Sequence, residues 1–254
     1  MSTVSRRRGE ASEKRRTRDE TRLLLMEAAL RVLGRRLEGG VDVADASANP
    51  LAGIRITEVL DEVNQQLRSL DPHATLMTTG AAYNIWPSQE EFQLSVLDRI
   101  FLDAAKIGFD EVDERVDADI AAGHDWRDLV ARCFGADFEL SADEPSVLLM
   151  LGVTAMGPRR QVIDMNVVPN QLYVEYVSGL LRKILAHAGR RPVKGRSIAD
   201  LVWAIEAIES GYLLRRRMDP DVPMRRDRAG RTAVESVLIA AVEAFTEPVP
   251  PKRR

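Results

Sequence analysis

The first half of the chain carries apolar residues at the spacing of an α-helix. Side chains three, four or seven positions apart lie on one helical face, and two stretches show this pattern. The first has Leu25, Ala28, Ala29, Val32 and Leu33, and the second has Ile56, Val59, Leu60, Val63, Leu67 and Leu70. Residues 37–53 between them contain three glycines and the turn-forming pair Asn49 and Pro50, which predicts an irregular connection. Pro72 ends the second helix, because proline disfavours helical geometry in the residue before it.

A third helix is predicted after Pro87. Ser88 followed by Glu91 is the pattern of a capping box, in which the serine oxygen accepts from a free amide of the first turn and the glutamate reaches back to the cap. The apolar stripe Phe92, Val96, Leu97, Ile100, Phe101 and Ala104 continues this helix over several turns.

Helical spacing also dominates the second half of the chain, and strand alternation is almost absent. Helices are predicted at residues 126–140, 146–156, 174–188, 198–215 and 232–245. Glycines and prolines separate them, with Pro169 expected to break the chain before the third. The predicted fold class is all-α.

Composition places the chain among globular proteins. Of its 254 residues, 45% are hydrophobic and 30% are charged, and this length fits one large domain or a small domain joined to a larger one. The single cysteine, Cys133, excludes an internal disulfide and favours a reducing compartment. Apolar runs are too short for a membrane span or a signal peptide. We therefore expect a cytoplasmic protein.

The amino-terminal end is basic, whereas the rest of the chain is acidic. Residues 1–22 carry eight basic and four acidic side chains, although the net charge of the whole chain is −3. A locally basic arm suits contact with a polyanion. A solubilising tail is the alternative.

The common catalytic and cofactor-binding motifs are missing from the sequence. It contains no glycine-rich nucleotide loop, no HExxH and no GxSxG. The histidines His73, His124 and His187 lie far apart and lack partners at ligand spacing. The acidic run at residues 110–119 lacks the glycine of a calcium loop and predicts a solvated helix face. We expect no enzyme, no cofactor and no metal site.

The most informative segment spans residues 78–92 and reads TTGAAYNIWPSQEEF. Thr78 can cap a short helix, and Gly80 with the two following alanines leaves one side of that helix almost without bulk. Tyr83 and Asn84 offer polar atoms one turn later. Such a face can approach another backbone closely, including that of DNA in a major groove. A short connecting helix is the alternative interpretation of the same residues.

This segment resembles the recognition helix and following turn of the TetR family of bacterial transcriptional regulators. The family pattern is met without a gap by Thr78, Gly80, Tyr83, Trp86, Pro87, Ser88, Glu90, Glu91 and Phe92. Residues 26–30 and 56–60 are similar to the family's first helix and to the helix before the turn. The resemblance implies a basic arm at residues 1–19, a helix-turn-helix DNA-binding domain at residues 20–90, and a helical domain for ligand binding and dimerisation at residues 91–254.

The resemblance also implies roles for individual residues. Thr57 and Thr78 are expected to cap helices against phosphates, and Thr79 and Gly80 to lie nearest the base edges. Tyr83 and Asn84 are expected to hold the DNA backbone, and Ile85 and Trp86, together with Tyr83, to pack the helix on its neighbours. The arm, including Arg15, Arg16 and Arg18, is expected to add affinity without sequence preference.

Three departures from the family pattern stand out. Residues 37–55 form a longer link than the family uses, and residues 64–77 separate the two helices of a motif whose turn usually has about four residues. Gln89 takes the position of a lysine that the resemblance would assign to a phosphate contact. We expect DNA binding with an altered crossing geometry.

An effector pocket is expected among apolar and aromatic residues of the middle helices, which favours a mainly hydrophobic small molecule. Plain core packing is the alternative for any one of them. The candidates are Phe134, Phe138, Met150, Tyr173, Tyr176 and Trp203, with Trp126, Met156 and Met165.

A homodimer is expected through residues 198–217 and 231–246. Their apolar stripes are Ile198, Leu201, Val202, Ile205, Ile208 and Tyr212, and Val234, Val237, Leu238, Ala241, Val242 and Phe245. In the resembled family such a pair of helices meets its copy in a four-helix bundle. The alternative is that both stripes face only their own core.

Taken together, these features predict a ligand-responsive regulator, a repressor more readily than an activator, that binds operator DNA as a homodimer. An all-α interaction protein that has kept the fold without DNA binding is the second hypothesis, and an all-α enzyme is the third.

Overall fold

Helices form almost all of the regular structure, which confirms the all-α class. The computed structural model describes residues 16–39 and 53–250, which contain eleven helices and one two-stranded sheet. The helices are α1 (Arg18–Gly39), α2 (Ile56–Leu70), α3 (Thr79–Tyr83), α4 (Gln89–Ala104), α5 (Phe109–Ala121), α6 (Trp126–Ala142), α7 (Pro145–Met156), α8 (Arg159–His187), α9 (Ile198–Met218), α10 (Asp221–Met224) and α11 (Ala233–Phe245). None of these helices has both the length and the hydropathy to cross a bilayer.

The helix ends follow from local side-chain chemistry. Ser88 accepts a hydrogen bond from the Glu91 amide at 3.1 Å and starts α4 where the sequence predicted, although this is the only half of the predicted capping box among the hydrogen bonds of the described residues. Ser197 with Asp200 forms a complete capping box at the start of α9, as does Thr232 with Glu235 at the start of α11. These caps satisfy amide groups that have no partner inside the helix.

The small antiparallel sheet joins the end of α8 to the carboxyl-terminal residues. Strand β1 (Arg190–Pro192) pairs with β2 (Thr246–Pro248), with Arg191 opposite Glu247. The guanidinium of Arg190 also lies over the ring of Trp126, 4.9 Å from its centroid. The sheet therefore holds α8, α11 and the start of α6 together at one end of the molecule.

Two hydrophobic cores organise the described residues. The smaller core is built by α1, α2, α3 and the first part of α4, with Leu149 from α7. The larger core is built by α5, α6, α8, α9 and α11. Helix α4 connects them, because Phe92, Val96 and Ile100 belong to the smaller core and Ala104 packs against the larger one.

Two expectations about chain breaks have different outcomes. The predicted break at Pro169 is wrong, since α8 runs through it from Arg159 to His187. Pro169 removes one amide donor, and packing against neighbouring helices maintains the helix despite that loss. The link predicted at residues 37–53 lies mostly outside the described residues.

Candidate nucleic-acid interface and ligand cavity

A pair of hydrogen bonds holds the start of α3 against the middle of α2. Asn64 Nδ2 donates to the Met77 carbonyl oxygen at 3.0 Å, and the Met77 amide donates to Asn64 Oδ1 at 2.7 Å. Residues 65–70 therefore complete α2 beyond this pair, and residues 71–76 form a projecting loop that returns to it. The insertion that distinguishes this segment does not separate α2 from α3.

Helix α3 is short, and its two sides differ in exposure. Thr78 caps it by accepting from the Ala81 amide at 3.2 Å, as predicted. Ala82 is buried, whereas Thr79 and Gly80 are exposed. Helical hydrogen bonds continue past the last residue of α3, because the Asn84 amide donates to the Gly80 carbonyl oxygen. Thr79 and Gly80 are thus open to a partner, whereas Ala82 of the predicted small-residue side faces the core.

The anchor of α3 is a single aromatic residue. Trp86 is buried, donates from Nε1 to Ser95 Oγ at 2.9 Å and meets Phe92 edge-on, with ring centroids 5.2 Å apart. Ile85 is buried beside it, as expected. Tyr83 does not pack in this core, since 44% of its surface is exposed. That expectation was wrong because Tyr83 is turned by about 100° from the buried Ala82, which leaves its ring available to a partner.

Gln89 has a structural task of its own. Its Oε1 accepts from the Ile56 amide at 3.1 Å, and its Nε2 donates to the Ile54 carbonyl oxygen at 2.8 Å. Both groups of the side chain thereby hold the start of α2 beside the start of α4. Gln89, which stands where the resemblance places a phosphate-binding lysine, therefore uses its side chain to bind the protein backbone.

Thr57 does not cap α2. The cap position is Arg55, whose side chain makes no capping hydrogen bond, and Thr57 is the exposed second residue of the helix. The predicted cap was wrong because the helix begins two residues earlier than that role requires. Thr57 still lies at the amino-terminal end of α2, where backbone amides favour anions.

The basic residues around these helices fall into two groups. Arg35 and Arg36 of α1 pair with Glu62 and Glu58 of α2 at 2.6 and 2.7 Å. The guanidinium of Arg35 lowers the pKa of Glu62 through its hydrogen bond to that carboxylate. These arginines are therefore engaged in ion pairs within the chain.

Other arginines lie at the start of α1 and at the two ends of α2. Arg16 donates to the Thr75 carbonyl oxygen at 2.7 Å, and Arg18 donates to that of Ile85 at 3.5 Å, so the start of α1 touches both the projecting loop and the end of α3. Arg55 and Arg68 are exposed at the two ends of α2. Arg15 lies outside the described residues. Sequence reasoning missed Arg55 and Arg68, although a cation at each end of an amphipathic helix was a visible signal.

A cavity of about 130 Å³ lies between α4, α6, α7, α8 and α9. Its volume is close to that of an apolar protein cavity that binds benzene. Apolar walls come from residues such as Phe101, Val147, Leu151 and Leu213, whereas polar groups come from Asp137, Asn166, Asn170, Glu206, Glu209 and Ser210. Pro169 is buried in the wall between the two asparagines.

The cavity acids have unusual ionisation. Burial raises the pKa of Asp137 to about 7. It also raises the pKa of Glu206, and it raises the pKa of Glu209 well above the usual range, with a further upward contribution from the nearby Asp137 and Glu206. Sequence reasoning missed all three, since acidic residues on a helix usually mark its solvated face.

The aromatic residues expected to bind an effector divide between three places. Phe138, Met150 and Tyr173 line the cavity. Tyr173 also lines a smaller adjoining cavity of about 40 Å³, with Phe134 and Tyr176. Trp203 lines neither and has 46% of its surface exposed on the outer side of α9. Of the further candidates, Trp126 is buried in the larger core, and Met156 and Met165 line a surface groove beside α4.

The apolar stripes expected to form a dimer face the chain's own core. Leu201, Val202 and Ile205 of α9 are buried there, as are Val234, Leu238 and Val242 of α11. Sequence periodicity identified the apolar face correctly but could not tell which neighbour covers it. The outer faces still expose Trp203, Leu214 and Met218 on α9, and Val237 on α11.

Comparison with known proteins agrees with this architecture. No protein-family model matches the chain, and no curated protein matches it. Among solved structures, the chain is similar to a TetR-family transcriptional regulator from Cytophaga hutchinsonii, with a TM-score of 0.53 over 92% of this chain and 98% of that chain. Sequence identity is 13%, so the likeness is one of fold. The chain has the fold of a TetR-family transcriptional regulator.

Proposed function

We propose that the protein is a transcriptional regulator that binds operator DNA through α3 and responds to a small molecule held in the large cavity. The observation that carries the proposal is the Asn64–Met77 pair, which holds α3 beside α2 with Thr79 and Gly80 exposed. Without that pair, nothing would hold the chain that leaves the end of α2 at residue 70 back beside the middle of α2, where α3 begins. The domain limits expected from the sequence, 1–19, 20–90 and 91–254, are part of the proposal.

Helix α4 supplies a route between the two sites. Its residues Val96 and Ile100 belong to the core under α3, and Phe101, Ala104 and Ala105 line the cavity. A ligand that shifts the second half of α4 would also move the first half, because the helix is continuous from Gln89 to Ala104. We take repression, relieved by the ligand, as the mode of action, which would operate on DNA in the cytoplasm.

A second copy of the chain would complete the regulator. The outer faces of α9 and α11 combine the large exposed residues Trp203 and Leu214 with the small exposed residues Ala207, Gly211 and Ala240. Small residues let two helices approach closely, and a two-fold axis there would give an isologous contact.

The experiment is a selection of genomic DNA fragments with the purified full chain, followed by gel shifts over a range of salt concentrations. A specific operator and a steep salt dependence are expected. Removal of residues 1–18 would flatten the slope by about 0.9 for each phosphate that the arm neutralises. An unchanged salt dependence would mean that the arm makes no contact with DNA phosphates.

One observation favours the alternative of an interaction protein without DNA binding. Helix α3 carries no charged residue, Gln89 is committed to backbone groups, and Arg35 and Arg36 are occupied by glutamates. Failure to enrich any DNA fragment, by a protein whose folding is verified by circular dichroism, would support that alternative and contradict the proposal.

A further inference from the structure

Three carboxylic acids reach the large cavity, and none of them has a basic partner within the part of the chain that the structure describes. Asp137 comes from α6, and Glu206 and Glu209 come from α9. Glu209 has only 6% of its surface exposed, and within the described residues its Oε1 has no hydrogen-bond donor. A buried carboxylate is strongly destabilising unless it is protonated or paired. Glu209 Oε1 can therefore accept a hydrogen bond from a ligand in the cavity.

Two arginines of the lining helices pair with acids outside the cavity. On α6, Arg132 pairs with Asp119 at 3.2 Å, and near the end of α9, Arg216 pairs with Glu139 at 3.1 Å. Among the residues that the structure describes, no Arg, Lys or His lines the cavity. The described lining therefore does not supply the positive charge that three carboxylic acids would attract.

A metal ion does not account for the acids either. Within residues 16–39 and 53–250, no three His, Cys, Asp or Glu side chains are arranged to hold one. The remaining partners are protons and an organic cation.

Titratable groups face the cavity from three of its five helices. They are Asp137 on α6, Tyr173 on α8, and Glu206 and Glu209 on α9, whereas α4 and α7 contribute none. Burial raises the pKa of each of them. Burial therefore favours the protonated forms of these acids, and a cation that binds there would displace the protons.

We propose that the cavity binds a cationic amphiphile with a primary or secondary ammonium group. One N–H of the ammonium donates to Glu209 Oε1, and Asp137 and Glu206 supply the surrounding negative charge. The apolar body of the ligand packs against Phe138 and Met150 on neighbouring walls. This proposal rests on the effector response proposed above, and it adds a charged head to the hydrophobic ligand that the sequence predicts.

The test uses three probes with one carbon skeleton: phenylbutylamine, phenylbutanol and phenylbutyrate. Titration calorimetry with the full chain at mildly alkaline pH is expected to give a Kd for the amine that is lower than that of the alcohol by about tenfold or more, since one buried charged hydrogen bond is worth at least that factor. The carboxylate is expected to bind weakest. Glu209→Gln is expected to abolish the preference for the amine.

Matched variants separate this effect from loss of folding. Glu175→Gln makes the same change at an exposed position of α8 and is expected to keep the preference. Glu206→Gln, at a half-buried position, is expected to weaken the preference in part. Melting curves establish that each variant is folded before the titrations.

The outcomes distinguish this proposal from the regulatory one. Equal binding of amine and alcohol, a preference for the carboxylate, or no binding of the amine overturns the cationic ligand. Amine binding that depends on Glu209 but leaves DNA affinity unchanged supports the ligand class and contradicts the effector response. Release of DNA by the alcohol or the carboxylate, but not by the amine, supports the effector response and contradicts the cationic ligand.

Discussion

Arg217, near the end of α9, donates a hydrogen bond from Nη2 to the carbonyl oxygen of Leu37, near the end of α1, at 3.1 Å. Helix α9 also carries Glu206 and Glu209 into the cavity. The bond therefore joins one wall of the ligand cavity to a helix of the proposed DNA-binding domain. It is a second connection between the two sites, in addition to α4.

Replacing Arg217 by Gln is expected to weaken the coupling between ligand and DNA binding by about 0.5–2 kcal/mol, a range typical of residues that link two sites. Affinity for each partner alone is expected to change little, because Arg217 lies in neither proposed site. DNA titrations with and without phenylbutylamine measure the coupling.

Arg215→Gln provides the matched control, since Arg215 is exposed on the same turn of α9. Equal coupling in the Arg217→Gln variant and the unmodified protein would mean that α4 alone carries the response.

The Asn64→Leu variant tests the closure of the projecting loop. Both hydrogen bonds to Met77 would be removed, and the two backbone groups of Met77 would need new partners. The expected loss of stability is about 1–3 kcal/mol by urea unfolding, with a larger loss of operator affinity because α3 would no longer be held. Gln65→Leu, at the exposed next position, controls for added hydrophobicity. Operator affinity equal in both variants would contradict the role of the pair.

How far the sequence predicts this molecule depends on whether a signal is local. The stripe at Val59, Leu60 and Val63 and the cap at Ser88 depend on neighbours within a helical turn, and both were predicted correctly. The Asn64–Met77 pair joins residues on either side of a loop, and periodicity carries no information about it. The motif's fold could thus be predicted, whereas the pair of hydrogen bonds that closes it could not.

For a related reason, the sequence could predict apolar residues of the cavity lining but not its acidic residues. Phe138, Met150 and Tyr173 stood out as large apolar or aromatic residues. Glu206 and Glu209 did not, because acidic residues on an amphipathic helix normally face water. Only the packing of α9 against α6 and α8 shows that they face inward.

Variants of α3 test its entry into the DNA groove. Thr79→Ala and Asn84→Ala are expected to lower affinity for the selected operator by about 1–3 kcal/mol for each base-edge interaction removed, with little change on random DNA. Gel shifts on both DNAs provide the comparison. Ala81→Ser, a conservative change on the same helix, serves as a control. Comparable losses on both DNAs would assign these side chains to backbone contacts, and no loss on either would refute groove entry.

Trp203 provides the test of dimer formation. With 46% of its surface exposed on the outer face of α9, a Trp203→Glu variant is expected to place a charge in the interface and to shift the chain from dimer to monomer in sedimentation experiments. Leu23→Glu, at a residue of α1 with 49% of its surface exposed, is expected to leave the assembly intact. An unmodified chain that sediments as a monomer at micromolar concentration would exclude this interface.

The raised pKa of Asp137 has a consequence for stability. Because the folded chain keeps the carboxyl protonated up to about pH 7, whereas its ordinary value is 3.8, the folded state binds more protons than the unfolded state between these limits. Stability contributed by this group is therefore fully present below the lower limit and falls as the pH rises through the upper one.

Asp137→Asn removes the ionisation and is expected to raise the free energy of unfolding above pH 7 by about 1–3 kcal/mol, since one pKa unit corresponds to about 1.4 kcal/mol and partial exposure relieves some of the cost. Urea unfolding of the two proteins across this pH range measures the difference, and Asp164→Asn, at an exposed position of α8, is expected to follow the unmodified chain. A stability gain for Asp137→Asn that is the same at acidic and alkaline pH would show that packing, rather than an unpaired charge in the cavity, is responsible.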